Sequence, residues 1–303
     1  MLEKLTLNNM ESFKELYSES LKKLSYDKDF FKCYDNQNFL IKFLYRKFMR
    51  IIKLDNTSIG YIWYEAPIDN FIKVWALYID SKYINLIKEN ILFSFNKNIL
   101  SYEAVDTIEN CIILEKLGFK KEKYTLLMKM NIENYDNNER IYDIYNRITN
   151  NYNFKNRFNS PTLFSTRKLM IGKDEELRCN IQNDIFGEWN RRPLTIEDIY
   201  SDMTQDYFLK DLCIFGMIND LYIGYGQIIF NRDMYTIVNF GIRKDFRGIG
   251  LGKLLLHDIV LYAKKSGIKE LAIRVDSSNT AAINLYKWMG FKENYKIVVW
   301  ERA

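Results

Sequence analysis

Chemistry concentrates in one short run of this sequence, Arg247-Gly248-Ile249-Gly250-Leu251-Gly252. Three glycines at alternate positions let the chain bend so that successive backbone N–H groups converge. Leu254, Leu255, Ile259 and Tyr262 then recur at helical spacing, so the turn opens a helix. A helix start adds unsatisfied amides and the positive end of a dipole. The product is a cradle for a pyrophosphate.

Two familiar nucleotide loops fail against the letters. A P-loop needs G-x-x-x-x-G-K-[ST], but Arg247 stands five residues before Gly252 and Leu254 follows Lys253, which leaves no hydroxyl for magnesium. A dinucleotide fingerprint needs G-x-G-x-x-G near the beginning of a βαβ unit. Here the spacing is G-x-G-x-G and follows a β-meander.

The elements around the loop read as a mixed α/β domain. A strand over Leu163 to Leu169 leads to a helix from about Asp174, with Glu175 and Glu176 in its first turn. Thr195 and Asp198 have the spacing of a capping pair. Three β-rich runs follow, Leu212 to Ile218, Leu221 to Phe230 and Tyr235 to Arg243, joined by Asn219-Asp220 and Asn231-Arg232-Asp233. After the loop helix come a strand (Leu271 to Val275), a helix (Thr280 to Trp288) and a last strand (Phe291 to Trp300).

The first half repeats this order. Phe48 to Leu54 and Ile59 to Glu65 form a hairpin across Asp55-Asn56, and Phe71 to Ile79 is a third strand. Ser81 to Phe95 reads as helical, Leu100 to Val105 as a strand, Glu109 to Lys116 as a helix, and a last strand runs on to Met130. Ile79 aligns with Ile242, 163 residues later, and Gly118 with Gly290, 172 residues later, so the first copy is trimmed between these landmarks. Duplication is the natural reading. At the glycine loop the first copy has Ile84, Ile87 and Glu89, and Leu114 stands where the second has Tyr286. The expected organisation is a non-catalytic domain over 1–132, a linker with a helix over 133–160, and a catalytic domain over 161–303.

Arg247, Gly250 and Gly252 fill the pattern R-x-x-G-x-G, and a second signature, N-x-x-A-x-x-L-Y-x-x-x-G-F, is complete from Asn279 through Tyr286 to Phe291. In both, the C-terminal half resembles the GNAT superfamily of N-acetyltransferases, over about 140 residues. The resemblance implies two tandem GNAT-like domains, each a mostly antiparallel mixed sheet with flanking helices, the second with a splayed cofactor cleft. It implies acetyl-CoA as co-substrate and no metal. The cofactor-binding set is then Arg247, Gly248, Ile249, Gly250, Leu251 and Gly252 around the pyrophosphate, Phe240, Gly241 and Ile242 along the pantetheine arm, and Asn279. Tyr286 is the general acid for the departing thiolate. Gly241 sits where strand distortion is cheapest.

The tandem layout is similar to that of mycothiol synthase relatives. Ser277-Ser278-Asn279-Thr280-Ala281-Ala282 also resembles ribosomal-protein N-terminal acetyltransferases, so the motif identifies a superfamily rather than a substrate. The expected reaction is direct attack of a primary amine on the thioester. A small-molecule acceptor is favoured by a cleft partly roofed by a second domain. A peptide or protein amine, or a non-catalytic CoA sensor, are the alternatives. The strand from Tyr235 to Ile242 carries no carboxylate, so Asp184, Glu188 and Asp233 are only candidate bases. His257, the sole histidine, reads as structural.

Composition agrees and excludes other classes. The 44 basic and 39 acidic residues are interspersed, and a net charge of +5 without a basic stripe argues against nucleic-acid binding. Cys33, Cys111, Cys179 and Cys213 lack zinc spacing and read as buried reduced thiols. No signal peptide or apolar span is visible, so the expected location is cytoplasmic, with no membrane partner.

Overall fold

Period-two alternation along the strands is realised as burial on both faces of a sheet. In β2 (Met49–Leu54) and β3 (Thr57–Tyr64), Ile51 and Tyr61 join one core, while Ile52 and Ile62 join another. The computed structural model describes residues 1–136, 138–150, 163–187 and 192–303. The chain forms two units, Met1–Leu126 with Tyr295–Ala303, and Leu127–Asn294.

In the first unit β1 (Leu2–Lys4), β2, β3 and β4 (Phe71–Ile79) pair antiparallel in order. The β2–β3 hairpin turns at Asp55 and Asn56, both left-handed (φ 46° and 68°), as the letters predict. β5 (Ile99–Val105) runs parallel to β4. Helices α1 (Met10–Ser20), α2 (Phe30–Tyr34) and α3 (Phe39–Lys47) lie between β1 and β2 in the chain, and α4 (Ile108–Lys116) follows β5. The expected helix over Ser81 to Phe95 is instead two 3-10 segments, Ser81–Leu86 and Glu89–Phe95, broken at Ile87 by an extended backbone (ψ 137°). Ile87 and Leu92 are drawn into the core there, and core contact outweighs helical continuity.

In the second unit residues 127–131 of β6 (Lys120–Asn131) lie beside β11 (Glu270–Asp276), followed by β10 (Met234–Ile242), β9 (Leu221–Asn231), β8 (Phe208–Ile218) and β7 (Phe164–Lys168). Its helices are α5 (Asn138–Thr149), α6 (Glu175–Phe186), α7 (Ile196–Met203), α8 (Leu251–Lys265) and α9 (Thr280–Met289). Thr195 and Asp198 complete a reciprocal capping box at the start of α7.

The unit boundaries differ from the sequence expectation at the end of the chain. β12 (Lys292–Arg302) pairs antiparallel with β5, Ile297 opposite Val105 and Arg302 opposite Leu100, so residues 295–302 complete the first unit rather than the second. Trp300 is buried in the core of the first unit. Helix α5, expected within the linker, belongs to the second unit and buries Ile144 and Ile148; of that segment, residues 137 and 151–160 lie outside the described residues. Of the four free cysteines, Cys179 and Cys213 are buried, whereas Cys33 and Cys111 are only half-buried. Among the described residues no helix is long and apolar enough to cross a membrane.

Candidate active site

The second unit carries a cleft of about 910 Å³ where β10 and β11 part. The two strands are paired only at Thr236↔Ala272 and Ile237↔Ile273. β10 stays registered with β9 as far as Ile242↔Gly224, so beyond Ile237 one edge of β10 faces open space. A β-bulge lies between Val238 and Gly241, with Asn239 left-handed at φ 51°. The distortion thus falls on Asn239 rather than on Gly241. Gly241 is required for space, since a Cβ there would stand 2.3 Å from Ile185 Cγ2 on α6.

The glycine run forms the floor of this cleft. Gly248 (φ 84°) and Gly250 (φ 106°) are left-handed, and Gly250 is the N-cap of α8 with no side chain capping it. The N–H groups of Leu251 and Gly252 lie in the first helical turn and have no intrahelical acceptor. Converging free amides at the start of a 15-residue helix suit an anion. Arg247 lines the cleft and also holds the loop in place. Its Nε donates to the carbonyl of Ile242 (2.7 Å) and its Nη2 to the carbonyl of Ile185 (2.7 Å), so its guanidinium braces the loop against β10 and α6.

Asn279 and Tyr286 reach the same cleft, together with Phe240 and Ile242. Asn279 caps α9 by accepting from the Ala282 amide (3.1 Å), an arrangement that explains its place in the motif even without a ligand. Tyr286 is 6% exposed, packed against Phe240 and Phe291 at 6.2 Å between ring centroids. Burial pushes its phenol up to about 12, so the hydroxyl holds its proton at physiological pH.

Of the candidate bases, Asp184 and Asp233 do not line the cleft. No carboxylate lines the cleft among the described residues. Asp184 is engaged with Arg243 at 3.2 Å, Asp233 sits in the β9–β10 turn, and Glu188 lies outside the described residues. His257 is buried against Tyr135, whose hydroxyl lies 3.0 Å from Nδ1, and burial lowers its pKa. Residues the motifs did not reveal also line the cleft, among them Arg147, Ile148, Phe186 and Lys253. Ile148 and Arg147 come from α5, whose apolar spacing shows that it packs but not on what.

The first unit treats its own split differently. β4 and β5 pair only from Phe71↔Ile99 to Val74↔Tyr102, then part, yet the space left is about 30 Å³. The segment from Ser20 to Asp27 fills it. Tyr102 donates to Asp27 Oδ1 (2.6 Å), and Lys23 pairs with Glu109. Leu114 and Ile87, the counterparts of Tyr286 and Gly250, are buried in the core.

Residues 179–291 match the model of the acetyltransferase (GNAT) family. The chain carries a GNAT acetyltransferase domain. It is 38% identical over 61 residues to the [ribosomal protein bS18]-alanine N-acetyltransferase of Escherichia coli (strain K12), covering 20% of this chain and 41% of that protein. It is 35% identical over 63 residues to the mycothiol acetyltransferase of Geodermatophilus obscurus, covering 21% of this chain and 20% of that protein. The chain thus spans less than half the length of these curated relatives. A solved tandem GNAT protein from the clavulanic acid biosynthesis pathway superposes with a TM-score of 0.54 at 9% identity, covering 84% of this chain and 81% of that one. The fold is that of a tandem GNAT protein, mixed α/β in both parts, with the family match lying in the second.

Proposed function

We propose that this protein transfers an acetyl group from acetyl-CoA to a primary amine of a small molecule. The carrying observation is the conjunction in one cleft of a splayed β10 edge and a glycine cradle opening α8. The edge suits the amide-bearing pantetheine arm, and the free amides of 248–252 suit the pyrophosphate. The likeness to a mycothiol acetyltransferase supports a small acceptor.

The amine attacks the thioester carbonyl carbon directly. The C–S bond breaks as the C–N bond forms, and the acceptor must arrive neutral because an ammonium has no lone pair. No carboxylate lines the cleft among the described residues, and in this reading the amine's proton passes to water. Tyr286 lines the cleft and in this reading serves the departing sulfur. A phenol held at about 12 is too weak an acid to hand its proton outright to a thiolate of ordinary basicity, about 8.5. Its role is to donate a hydrogen bond to charge developing on sulfur, the proton of the thiol coming from the amine by way of water.

The likeness to a ribosomal-protein alanine N-acetyltransferase favours a second reading, a peptide α-amine as acceptor. A thiol-release assay with acetyl-CoA against panels of small amines and N-terminal peptides decides between them. Turnover confined to small amines supports the proposal, and turnover confined to peptides overturns its acceptor. Tight acetyl-CoA binding without turnover on either panel means a CoA sensor.

A further inference from the structure

Helix α5 lies outside the family match, yet it forms one wall of the cleft. A Cβ on Gly250 would stand 2.9 Å from Ile144 Cγ2 and 3.9 Å from Ile148 Cδ1, so α5 is packed directly against the phosphate loop. This contact brings a group of cations together. Arg140 and Lys253 each stand 4.2 Å from the ring centroid of Trp288, and Arg140 also donates to the Trp288 carbonyl (3.3 Å). Trp288 thereby absorbs part of their charge.

Among the described residues Arg147 has no such compensation. It is exposed, it lines the cleft, and among the described residues it makes no ion pair, not even with Asp143 four residues before it on α5. Burial and the nearby charges of Arg147 and Arg140 lower the pKa of Lys253. Mutual repulsion at the mouth of an anion cradle is relieved when a polyanion enters.

We infer that Arg147, with Lys253, forms a second anion subsite that binds a phosphate at the nucleotide end of CoA. The inference rests on the acetyl-CoA reading of the cleft. A lone GNAT domain ending at the family boundary lacks this residue; the preceding helix supplies it. CoA carries two phosphate groups at that end, the pyrophosphate and the 3′-phosphate, and both present the same chemistry to a guanidinium.

The test is calorimetric titration of the full chain with CoA and with 3′-dephospho-CoA, for wild type, Arg147→Gln and Arg147→Lys. Arg147 is exposed, so the substitutions should leave the thermal midpoint unchanged. Arg147→Gln should raise the Kd for CoA about tenfold, with shallower salt dependence, and Arg147→Lys should recover part of it. A loss confined to CoA places the contact on the 3′-phosphate. That result supports the second subsite, whereas a loss shared equally with 3′-dephospho-CoA places the contact on the pyrophosphate already assigned to the loop amides and overturns it. A Kd for CoA within twofold of wild type in Arg147→Gln overturns the subsite while leaving the acetyl-CoA reading intact. Wild type that binds neither ligand overturns both.

Discussion

Arg247 Nη2 donates to the carbonyl oxygen of Ile185 at 2.7 Å, joining the glycine loop to the last turn of α6. The second bond, from Nε to Ile242, completes a bracket across loop, strand and helix. An arginine that opens a phosphate motif would ordinarily be assigned to the phosphate. Here it satisfies helix-end and strand-end carbonyls, and in the proposed reading it holds the loop amides towards the pyrophosphate.

Arg247→Ala should therefore weaken acetyl-CoA binding through the loop rather than through lost charge. We expect Kd to rise about tenfold or more, accompanied by a lower thermal midpoint. Titration calorimetry and thermal unfolding check both. A weakened Kd with unchanged stability would point to direct phosphate contact.

Gly250→Glu places a carboxylate in the cradle, forces a left-handed backbone on a non-glycine residue, and drives a Cβ towards Ile144. Loss of measurable acetyl-CoA binding is expected. Ile87→Ala, at the matching place in the first unit, should cost about 2–4 kcal/mol of stability through a core cavity and leave the Kd within twofold. Chemical denaturation and calorimetry separate the two effects. A tenfold change in Kd from Ile87→Ala would mean that the first unit also takes part in cofactor binding.

Tyr286→Phe should lower kcat about tenfold to hundredfold with little change in the KM for acetyl-CoA, because the hydroxyl acts only as charge develops on sulfur. Unchanged kcat under chemistry-limited conditions would remove Tyr286 from the mechanism.

The pH profile follows from the same residue. Its phenol, raised to about 12, keeps its proton throughout the range from pH 6 to 10, so hydrogen-bond donation is never lost there. We expect kcat/KM to rise with pH until the acceptor amine is neutral and then stay level. A descending limb near pH 10, absent in Tyr286→Phe, would show a phenol of ordinary acidity.

Asp174 anchors the start of α6 through a two-pronged pair with Arg167 (2.6 and 2.9 Å) and accepts from the Met170 amide (2.7 Å). The Arg167 guanidinium holds its carboxyl below the usual range, against the opposing effect of burial. A depressed folded-state value means stabilisation that is present above about pH 4 and lost as pH falls below it. Asp174→Asn should cost about 2–3 kcal/mol at pH 7 and about 1 kcal/mol less at pH 3 by denaturant titration. An equal cost at both pH values would contradict an ionic contribution.

Much of this architecture is legible in the sequence because local rules and tertiary demands agree. Phe71 to Ile79 is a strand as its pattern indicates, and the expected turn chemistry appears at Asp55-Asn56 and again at Asn219 (φ 51°). Helices α1 to α3 are not legible in this way, because segment 10–47 carries no motif. Their faces are also atypical, with Phe39, Leu40 and Phe43 exposed and Arg46 buried against Tyr34. Ser81 to Phe95 reads as one helix because periodicity alone cannot weigh core contact at Ile87 and Leu92 against helical continuity.

By itself the sequence determined the glycine loop, the Asn279–Phe291 motif and their absence from the first copy, since glycine spacing and turn chemistry are local properties of the chain. Only the tertiary structure decided where β12 pairs, that Arg247 is a brace, and that α5 brings Arg147 to the cleft. A strand's alternation fits any sheet edge, and an arginine's partner is set by whatever the fold places within reach. Those choices depend on contacts between residues distant in the chain, which spacing cannot encode.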